Sequence, residues 1–230
     1  MGHILTVATS KGGGGKTALT TLVAACLAPR MRVAVVDADR NATFAHWHHH
    51  AYEGGDLTCR EEIRHVEVVD LLQSLAEQAD VVIADTAGFE NQTAAMAMGT
   101  SDHILIPCMA DRGSVREAVK TAKQALALGK AARREIPFTL VPMAWSPRGL
   151  AERAALEDLA EAEVTLGIEL PVARQHISQS AEIRKMSFSG RAPLSGGVGL
   201  EVERLVEALA ERGALPATAA AAPSSAHAQA

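Results

Sequence analysis

The sequence predicts an α/β fold, with a doubly wound, mostly parallel sheet and helices on both faces. Short apolar runs recur along the chain, and segments of helical composition separate them. Strands that are buried on both faces are continuous apolar runs, and their alternation with helices indicates a parallel sheet. Glycine or aspartate follows several runs, as expected where parallel strands end beside a ligand site. A length of 230 residues, 48% hydrophobic and 3% aromatic, suits one domain with an aliphatic core.

The first predicted strand and helix enclose a glycine-rich loop. Residues 4–8 form a partly β-branched apolar run, and residues 16–27 are rich in Ala and Leu and end near Pro29. Between them lies SKGGGGKT, residues 10–17. The backbone N–H groups of a helix N-terminus are unpaired, and the helix dipole favours an anion there. The glycines therefore let the backbone surround phosphates, Lys16 reaches the β- and γ-phosphates, and the Thr17 hydroxyl holds Mg²⁺.

The second predicted strand, residues 32–36, runs into DADRNATFAHW. Asp37 and Asp39 then lie at the carboxyl edge of the sheet, where ligands gather. Two aspartates after a strand also suit a cap for the next helix, but the upstream loop favours the ligand site. In HWHHH, residues 46–50, His46 and His50 would share one helical face. Because no third ligand is nearby, an exposed polar helix is favoured over a metal site.

The remaining elements continue the alternation. Residues 81–88, VVIADTAG, are an apolar strand that ends in Asp85, and this is the third element of the predicted site. Residues 103–108 and 137–144 are further predicted strands, and residues 165–171 are a last short one. The chain closes with a predicted amphipathic helix over residues 200–213, whose polar side is acidic.

Composition limits the environment and the domain boundaries. There is no run of about 18 apolar residues and no signal peptide, so we expect a soluble, cytoplasmic protein without a membrane contact. Scattered Cys26, Cys59 and Cys108 favour reduced, buried thiols over disulfides or a metal cluster. The net charge of −5 permits a local basic patch only. Residues 214–230 carry no charge and cannot build a core, so we expect a domain at 1–213 and a disordered tail at 214–230.

The stretch KGGGGKT resembles the deviant Walker A motif of the ParA/MinD family, whose members have a P-loop NTPase-like fold. Position 10 is Ser where the ordinary phosphate loop has Gly, and Lys11 is an additional lysine. The resemblance implies that Lys11 crosses a dimer interface to the partner's ATP, while Lys16 serves its own nucleotide. The nucleotide-binding residues that it implies here are Lys11, Gly12, Gly13, Gly14, Gly15, Lys16, Thr17 and Ala18.

The aspartate segments resemble the same family. Members typically have DxDPQ or DxDPN after the second strand; this chain keeps both aspartates, and Arg40 stands where proline is usual. The resemblance implies that Asp39 positions the attacking water and acts with Lys11 and Lys16 in catalysis. It also implies a Mg²⁺ site, in which Asp85 occupies the Walker B position and contacts the metal through water; its residues are Thr17, Asp37 and Asp85. Loops that hold the adenine and sugar in relatives correspond here to Asp111, Met143 and Arg148.

The resemblance implies a slow, Mg²⁺-dependent ATPase in which ATP closes a homodimer and hydrolysis opens it. The leading interpretation is a ParA-like partition protein that binds DNA non-specifically, is nucleoid-associated when ATP-bound, and positions plasmid, chromosome or other cargo. A ParB-like or other adaptor would stimulate its hydrolysis. Two basic groups are candidates for DNA contact. The first is a stripe on a predicted helix at residues 114–135, with the members Arg116, Lys120, Lys123, Lys130 and Arg134. The second lies near the C-terminal helix and consists of Arg184, Lys185 and Arg191. A solvated helix surface is the alternative for the stripe.

Three other functions are weighed against partition. A MinD-like membrane regulator needs a basic amphipathic helix at its C-terminus, whereas the closing helix here is acidic. A metabolic relative, such as a dethiobiotin-synthetase-like ligase or an iron–sulfur reductase, is disfavoured by the early lysine and by the dispersed cysteines. A nucleotide switch that positions non-DNA cargo, in secretion, conjugation or microcompartment machinery, remains open beside partition.

Overall fold

The computed structural model describes residues 1–10, 12–88, 91–146 and 148–220. Its centre is a seven-stranded sheet in the order β3-β2-β4-β1-β5-β6-β7, and every pairing is parallel. The strands are β1 His3–Val7, β2 Val33–Ala38, β3 Leu57–Glu61, β4 Val81–Thr86, β5 His103–Cys108, β6 Phe138–Trp145 and β7 Ile177–Ser178. The predicted doubly wound, parallel α/β fold is confirmed.

Eight α-helices lie in the described part of the chain, and a 3₁₀ helix follows them at Ala217–Ala220. Their bounds are α1 Lys16–Leu27, α2 Thr43–Ala51, α3 Glu67–Ala76, α4 Gln92–Thr100, α5 Arg112–Ala132, α6 Leu150–Leu166, α7 Ala181–Ser189 and α8 Gly196–Glu211. None of these helices has the combination of length and hydrophobicity that a bilayer crossing requires.

Alternation along the buried strands produces a core on each face of the sheet. In β1, Leu5 packs in a cluster with Leu19 of α1 and Val202 of α8, whereas the neighbouring Ile4 packs with Leu72 of α3 on the opposite face. A third cluster joins β5 and β6 to α4, α5 and α6. Because both faces are covered by helices, the strands are apolar throughout, and this explains why the sequence predicts them well.

The winding of the chain places the site. Strand β1 lies between β4 and β5. Strands β2, β3 and β4 lie on one side of β1, and the later strands β5, β6 and β7 lie on the other, so the winding reverses at β1. The pairing of Val7 with Asp85, and of Asp37 with Asp85, brings the carboxyl ends of β1, β2 and β4 side by side. Ligands bind at such a reversal point in open parallel sheets.

Three features differ from the sequence-based expectations. The sequence does not predict the edge strand β3. Only two of its five residues, LTCRE, are buried, so no continuous apolar run indicates a strand there. Residues 165–171 do not form a strand: α6 continues to Leu166, Gly167 ends it in the left-handed conformation, and the last strand lies at Ile177–Ser178. Residues 214–220 are not a disordered tail, because Leu215 and Ala219 are buried against α8 in the main core. Residues 221–230 lie outside the described residues.

Candidate phosphate-binding site

A cleft of about 700 Å³ lies at the carboxyl edge of the sheet, where the winding reverses. It brings together the glycine loop, the start of α1, the segment after β2 and the segment after β4. Its lining residues are Gly12, Gly13, Gly14, Gly15, Lys16, Thr17, Ala18, Asp39, Arg40, Asn41, Thr43, Ala87, Gly88 and Asn91. Lys11, which the resemblance placed in catalysis, lies outside the described residues.

Glycine is required at two positions of this loop. Gly13 has φ 76° and Gly15, which precedes α1, has φ 84°, in the left-handed region that other side chains adopt at a cost. The cap residue of α1, Gly15, provides no side-chain acceptor for the first N–H groups of the helix, and the first residues of the helix line the cleft. An anion at this position would accept those N–H groups and be stabilised by the helix dipole.

Lys16 is the first residue of α1 and its side chain is largely buried, with 7% of the residue exposed. Burial lowers the pKa of its ammonium group, and the nearby carboxylates of Asp85 and Asp39 raise it in part. A partly dehydrated cation interacts more strongly with a phosphate oxygen than a solvated one does, because the local dielectric is lower.

Ser10 attaches the start of the loop to helix α5. Its backbone N–H donates to the Thr121 hydroxyl at 3.2 Å, and its own hydroxyl donates to the Glu117 carboxylate. The same hydroxyl lies 3.4 Å from the Glu117 carbonyl oxygen. The serine that departs from the ordinary phosphate-loop pattern therefore has a structural partner on α5.

Asp37 positions the segment that carries Asp39. It is fully buried, and its two carboxylate oxygens accept the backbone N–H groups of Asp39 at 3.1 Å and of Ala45 at 2.9 Å. Burial raises the pKa of Asp37, and those backbone hydrogen bonds lower it in part. The capping role that the sequence left as an alternative is thus present for Asp37, while the carboxylate of Asp39 lines the cleft.

Asp85, near the carboxyl end of β4, has one carboxylate oxygen that can still accept a hydrogen bond or bind a cation. Its Oδ1 accepts the Thr20 hydroxyl at 3.2 Å, whereas its buried Oδ2 has no hydrogen-bond partner among the described residues. Burial raises the pKa of Asp85 to about 7, and the Thr17 and Thr20 hydroxyls lower it in part. A buried, unpaired carboxylate oxygen is costly unless a cation or its water shell satisfies it. This donor set of hydroxyl and carboxylate oxygens therefore fits Mg²⁺, which is held by few protein oxygens and several waters.

The predicted adenine contacts lie in different environments. Met143 is buried, and its side chain would be 3.7 Å from a methyl group added at Gly15, so it lies beside the loop. Asp111 instead caps α5, accepting the Ser114 N–H at 2.9 Å and its hydroxyl at 2.6 Å. Arg148 is exposed in the segment before α6. Met143 is thus the candidate that the fold brings next to the glycine loop.

Four of the five basic residues that were predicted to form a stripe lie on α5 and are exposed, and the fifth does not lie on this helix. Arg116, Lys120, Lys123 and Lys130 are exposed within Arg112–Ala132. Arg134 was placed on the same helix, and this was wrong: α5 ends at Ala132, and Arg133 takes a left-handed conformation with φ 52°. The guanidinium of Arg134 instead donates to the carbonyl oxygens of Gly99 at 2.6 Å and Ser101 at 2.8 Å, at the end of α4.

The second basic group lies on and after α7. Arg184 and Lys185 are exposed on this helix, and Arg191 follows it and pairs with Glu53 at 3.4 Å. The nearby histidine helix, α2, has exposed His46 and His50, whose rings stack with centroids 5.8 Å apart. Within the described residues no group of three or more His, Cys, Asp or Glu could hold a metal ion.

Several residues that line the cleft are not identified as site residues by any sequence pattern considered above. Arg40 and Thr43 line the cleft beside Asp39, and Asn91 lines it from the start of α4. Asn91 also caps α4 by accepting the Thr93 N–H at 3.0 Å. A cap residue shortly after a strand that ends in aspartate was an available signal, since helix N-termini gather at this edge.

Comparison with known proteins identifies the family. Residues 2–180 match the model of the family described as VirC1 protein. The chain belongs to the VirC1 family. A protein virC1 from Rhizobium radiobacter is 31% identical to this VirC1-family chain over 145 residues. The alignment covers 60% of the chain and 63% of that relative, which is less than two thirds of the relative's length.

Solved structures confirm the ParA/MinD-type fold for this VirC1-family chain. Apo McdA from Cyanothece has a TM-score of 0.78 and 17% identity, and the match covers 91% of the chain and 100% of McdA. The septum site-determining protein MinD from Pyrococcus horikoshii, complexed with Mg-ADP, has a TM-score of 0.67 and 16% identity, covering 93% of the chain and 98% of MinD. At these identities the matches show that the chain has the fold of McdA and MinD, as the resemblance to the ParA/MinD family implies.

Proposed function

We propose that this VirC1-family chain is a Mg²⁺-dependent ATPase of the ParA/MinD type, whose nucleotide binds in the cleft at the carboxyl edge of the sheet. The single observation that supports this most strongly is the convergence of three chemically distinct elements on one cleft. The uncapped N-terminus of α1 with Lys16 and the carboxylate of Asp39 line the cleft, and buried Asp85, with its unpaired oxygen, is near enough for its charge to raise the pKa of Lys16. Phosphoryl transfer depends mainly on such positioning and charge neutralisation.

The side chains then have separate roles. Lys16 and the N–H groups of the glycine loop bind the phosphates, and Met143 borders the loop next to Gly15. Asp39, held in place by Asp37 through its backbone N–H, orients the attacking water and accepts its hydrogen bond. Thr17 and Asp85 would hold Mg²⁺, which supplies charge neutralisation at the β- and γ-phosphates when it is bound.

Hydrolysis in this proposal serves as a switch. ATP joins two chains, with Lys11 reaching the partner's nucleotide, and hydrolysis separates them. The ATP-bound dimer binds DNA non-specifically through the α5 stripe and the α7 group, in the cytoplasm and on the nucleoid. A ParB-like or other adaptor stimulates hydrolysis, so that plasmid, chromosome or other cargo is positioned. The exposed position of the α5 and α7 cations supports the DNA part of the proposal.

The test uses the purified chain with MgATP, measured for phosphate release and for binding to mixed-sequence duplex DNA at low salt. The Asp39→Ala protein, trapped with ATP, should bind DNA, and the nucleotide-free protein should bind more weakly. If ATP is hydrolysed but the trapped protein has no DNA affinity, the cargo is not moved on DNA and the non-DNA switch replaces partition. Absence of nucleotide binding by the unmodified chain would refute the ATPase itself.

A further inference from the structure

Arg40 is the cleft residue that departs from the DxDP pattern, and the structure fixes its backbone firmly. It lies between Asp39 and Ala42 in a turn where the Ala42 N–H donates to the Asp39 carbonyl at 2.9 Å. The Asn41 N–H donates to Asp39 Oδ1 at 2.9 Å, and Ala42 has φ 47° directly before α2. Because the turn is held on both sides of Arg40, its side chain starts from a defined point at the cleft wall.

The charge of Arg40 is not used within the described residues. It is exposed, and no hydrogen bond or ion pair with a described residue engages its guanidinium. Carboxylates are available in the adjoining groove of about 550 Å³, which Glu61 and Glu62 line together with Arg40 and Arg64. Glu62 is taken by Arg64, whose Nη2 lies 2.6 Å from Glu62 Oε2, and Arg64 also pairs with Glu67 at 3.2 Å.

A triphosphate in the cleft would need a second cation to balance the charge of its terminal phosphate. Among the described lining residues, Lys16 and Arg40 are the cations and Asp39 is an anion, with Asp85 buried behind the loop. Lys16 lies at the helix end of the cleft, whereas Arg40 is next to Asp39, the residue proposed to orient water at the terminal phosphate. A triphosphate carries more charge at that end than a diphosphate does, and a guanidinium binds phosphate oxygens through paired N–H donors.

We propose that Arg40 is an additional phosphate-binding residue, which contacts the terminal phosphate of ATP and lets the cleft distinguish ATP from ADP. The inference rests on the proposed function, because it assumes that a nucleotide occupies this cleft. It assigns to this chain a contact that a proline at the same position could not make, since proline has neither a charge nor a side-chain donor. The two nucleotides differ by the phosphate that Arg40 would contact, so they are the matched probes.

The experiment measures the dissociation constants of a non-hydrolysable ATP analogue and of ADP, each with Mg²⁺, by calorimetry. Arg40→Ala should weaken the triphosphate about tenfold and ADP less than about twofold, as expected for loss of one charged hydrogen-bonding contact. Arg40→Lys should recover part of the difference, because it keeps the charge and loses the fork. Arg64→Ala is the control: it removes an arginine from the same groove that is already paired, and it should leave both constants unchanged.

Different outcomes separate this inference from the proposed function. If the unmodified chain binds neither nucleotide, the proposed function fails and the inference fails with it. If the unmodified chain binds both, but Arg40→Ala changes neither constant or weakens both equally, the inference is wrong and the proposed function stands. Because Arg40 is exposed, the nucleotide-free variant should keep the parent melting temperature, and this verifies that a loss of binding is local.

Discussion

The backbone N–H of Ser10 donates to the hydroxyl of Thr121 at 3.2 Å, which joins the first residue of the phosphate loop to the middle of helix α5. The Ser10 hydroxyl adds a second contact, to the Glu117 carboxylate one turn earlier on the helix. The exposed stripe of Arg116, Lys120 and Lys123 lies on the same stretch of α5. The loop that would bind nucleotide is therefore hydrogen-bonded to the helix that carries the surface proposed to bind DNA.

This connection leads to a first prediction, for Ser10→Gly, which restores the ordinary loop pattern and removes the hydroxyl. The variant should still bind ATP, since the glycines and Lys16 are intact. The difference in DNA affinity between its ATP-bound and nucleotide-free forms should shrink by roughly 0.5 to 2 kcal/mol of coupling free energy. Anisotropy titrations with labelled duplex DNA measure this. An unchanged difference would show that the contact of the Ser10 hydroxyl with Glu117 does not carry the coupling.

A second prediction separates binding from hydrolysis. Lys16→Ala should abolish nucleotide binding, because it removes the cation at the uncapped start of α1. Asp39→Ala should bind MgATP with an affinity near that of the parent and hydrolyse it at a negligible rate, since Asp39 lines the cleft and the role we propose for it is to orient water. Calorimetry and phosphate release provide the two readouts. Hydrolysis by Asp39→Ala at the parent rate would contradict the assigned role.

The sequence predicted most of the fold and the centre of the site, for an identifiable physical reason. Buried parallel strands such as Val81–Thr86 are recognisable as mostly apolar runs. The phosphate loop needs left-handed φ values at two positions, and the glycines that adopt them are recognisable in the sequence. The two-residue strand Ile177–Ser178 has too few residues to show a periodicity. The burial of Leu215 depends on its packing in the core cluster that includes α8, which no local sequence pattern indicates.

The site was predicted less completely where tertiary contacts decide the role. Asp37 and Asp39 are chemically identical in the sequence, yet one is sequestered by backbone N–H groups and the other lines the cleft. Arg134 continues the helical spacing of the basic stripe, but the left-handed turn at Arg133 directs it onto the carbonyls of Gly99 and Ser101. Periodicity predicts a shared face only as far as the helix continues.

A third prediction concerns the pH dependence of stability. The pKa of Asp85 is raised to about 7 by burial, so the folded state keeps a proton that an unfolded chain, with an aspartate pKa of about 3.9, has released. Without Mg²⁺ or nucleotide, the contribution of Asp85 to the free energy of unfolding should therefore fall as the pH rises from about 4 to about 7, and then level off, while the lowered pKa of buried His103 acts in the opposite direction. Urea denaturation of the parent and of Asp85→Asn at a series of pH values measures this contribution as the difference between the two proteins.

Asp85→Asn supplies the control for that contribution. It removes the charge at the unpaired Oδ2 position, so at pH 8 it should raise the free energy of unfolding by about 1 to 3 kcal/mol. At pH 5 the advantage should largely disappear, because Asp85 is protonated in the parent. The same variant should lose the effect of Mg²⁺ on nucleotide binding. An equal stability change at both pH values would mean that the Asp85 charge is not its source.

A fourth prediction tests Lys11, which the family resemblance assigns to the partner's nucleotide. The Asp39→Ala protein with MgATP should sediment as a dimer, and adding Lys11→Ala should return it to monomer. Lys11→Arg should keep part of the dimer, because it preserves the charge at a changed geometry. Analytical ultracentrifugation over a range of concentrations gives the association constants. A dimer of equal strength without Lys11 would remove this residue from the interface.

The last prediction distinguishes basic residues that bind DNA from one that stabilises the fold. Charge reversal of Lys120, Lys123 and Lys130 should weaken binding to every duplex sequence alike and reduce the salt dependence of the affinity, by about 0.9 in the log–log slope for each phosphate that is no longer neutralised. Reversal of Arg184 and Lys185 should have the same kind of effect if the α7 group also faces DNA.

Arg134→Ala should behave differently, because its guanidinium donates hydrogen bonds to two carbonyl oxygens of the same chain. We expect it to lower the free energy of unfolding by about 1 to 3 kcal/mol and to leave the salt slope unchanged. Denaturation and salt titrations of the two kinds of variant, run on the same protein preparations, measure both quantities. A reduced salt slope for Arg134→Ala at unchanged stability would place this arginine with the DNA-binding residues, contrary to its position at the end of α4.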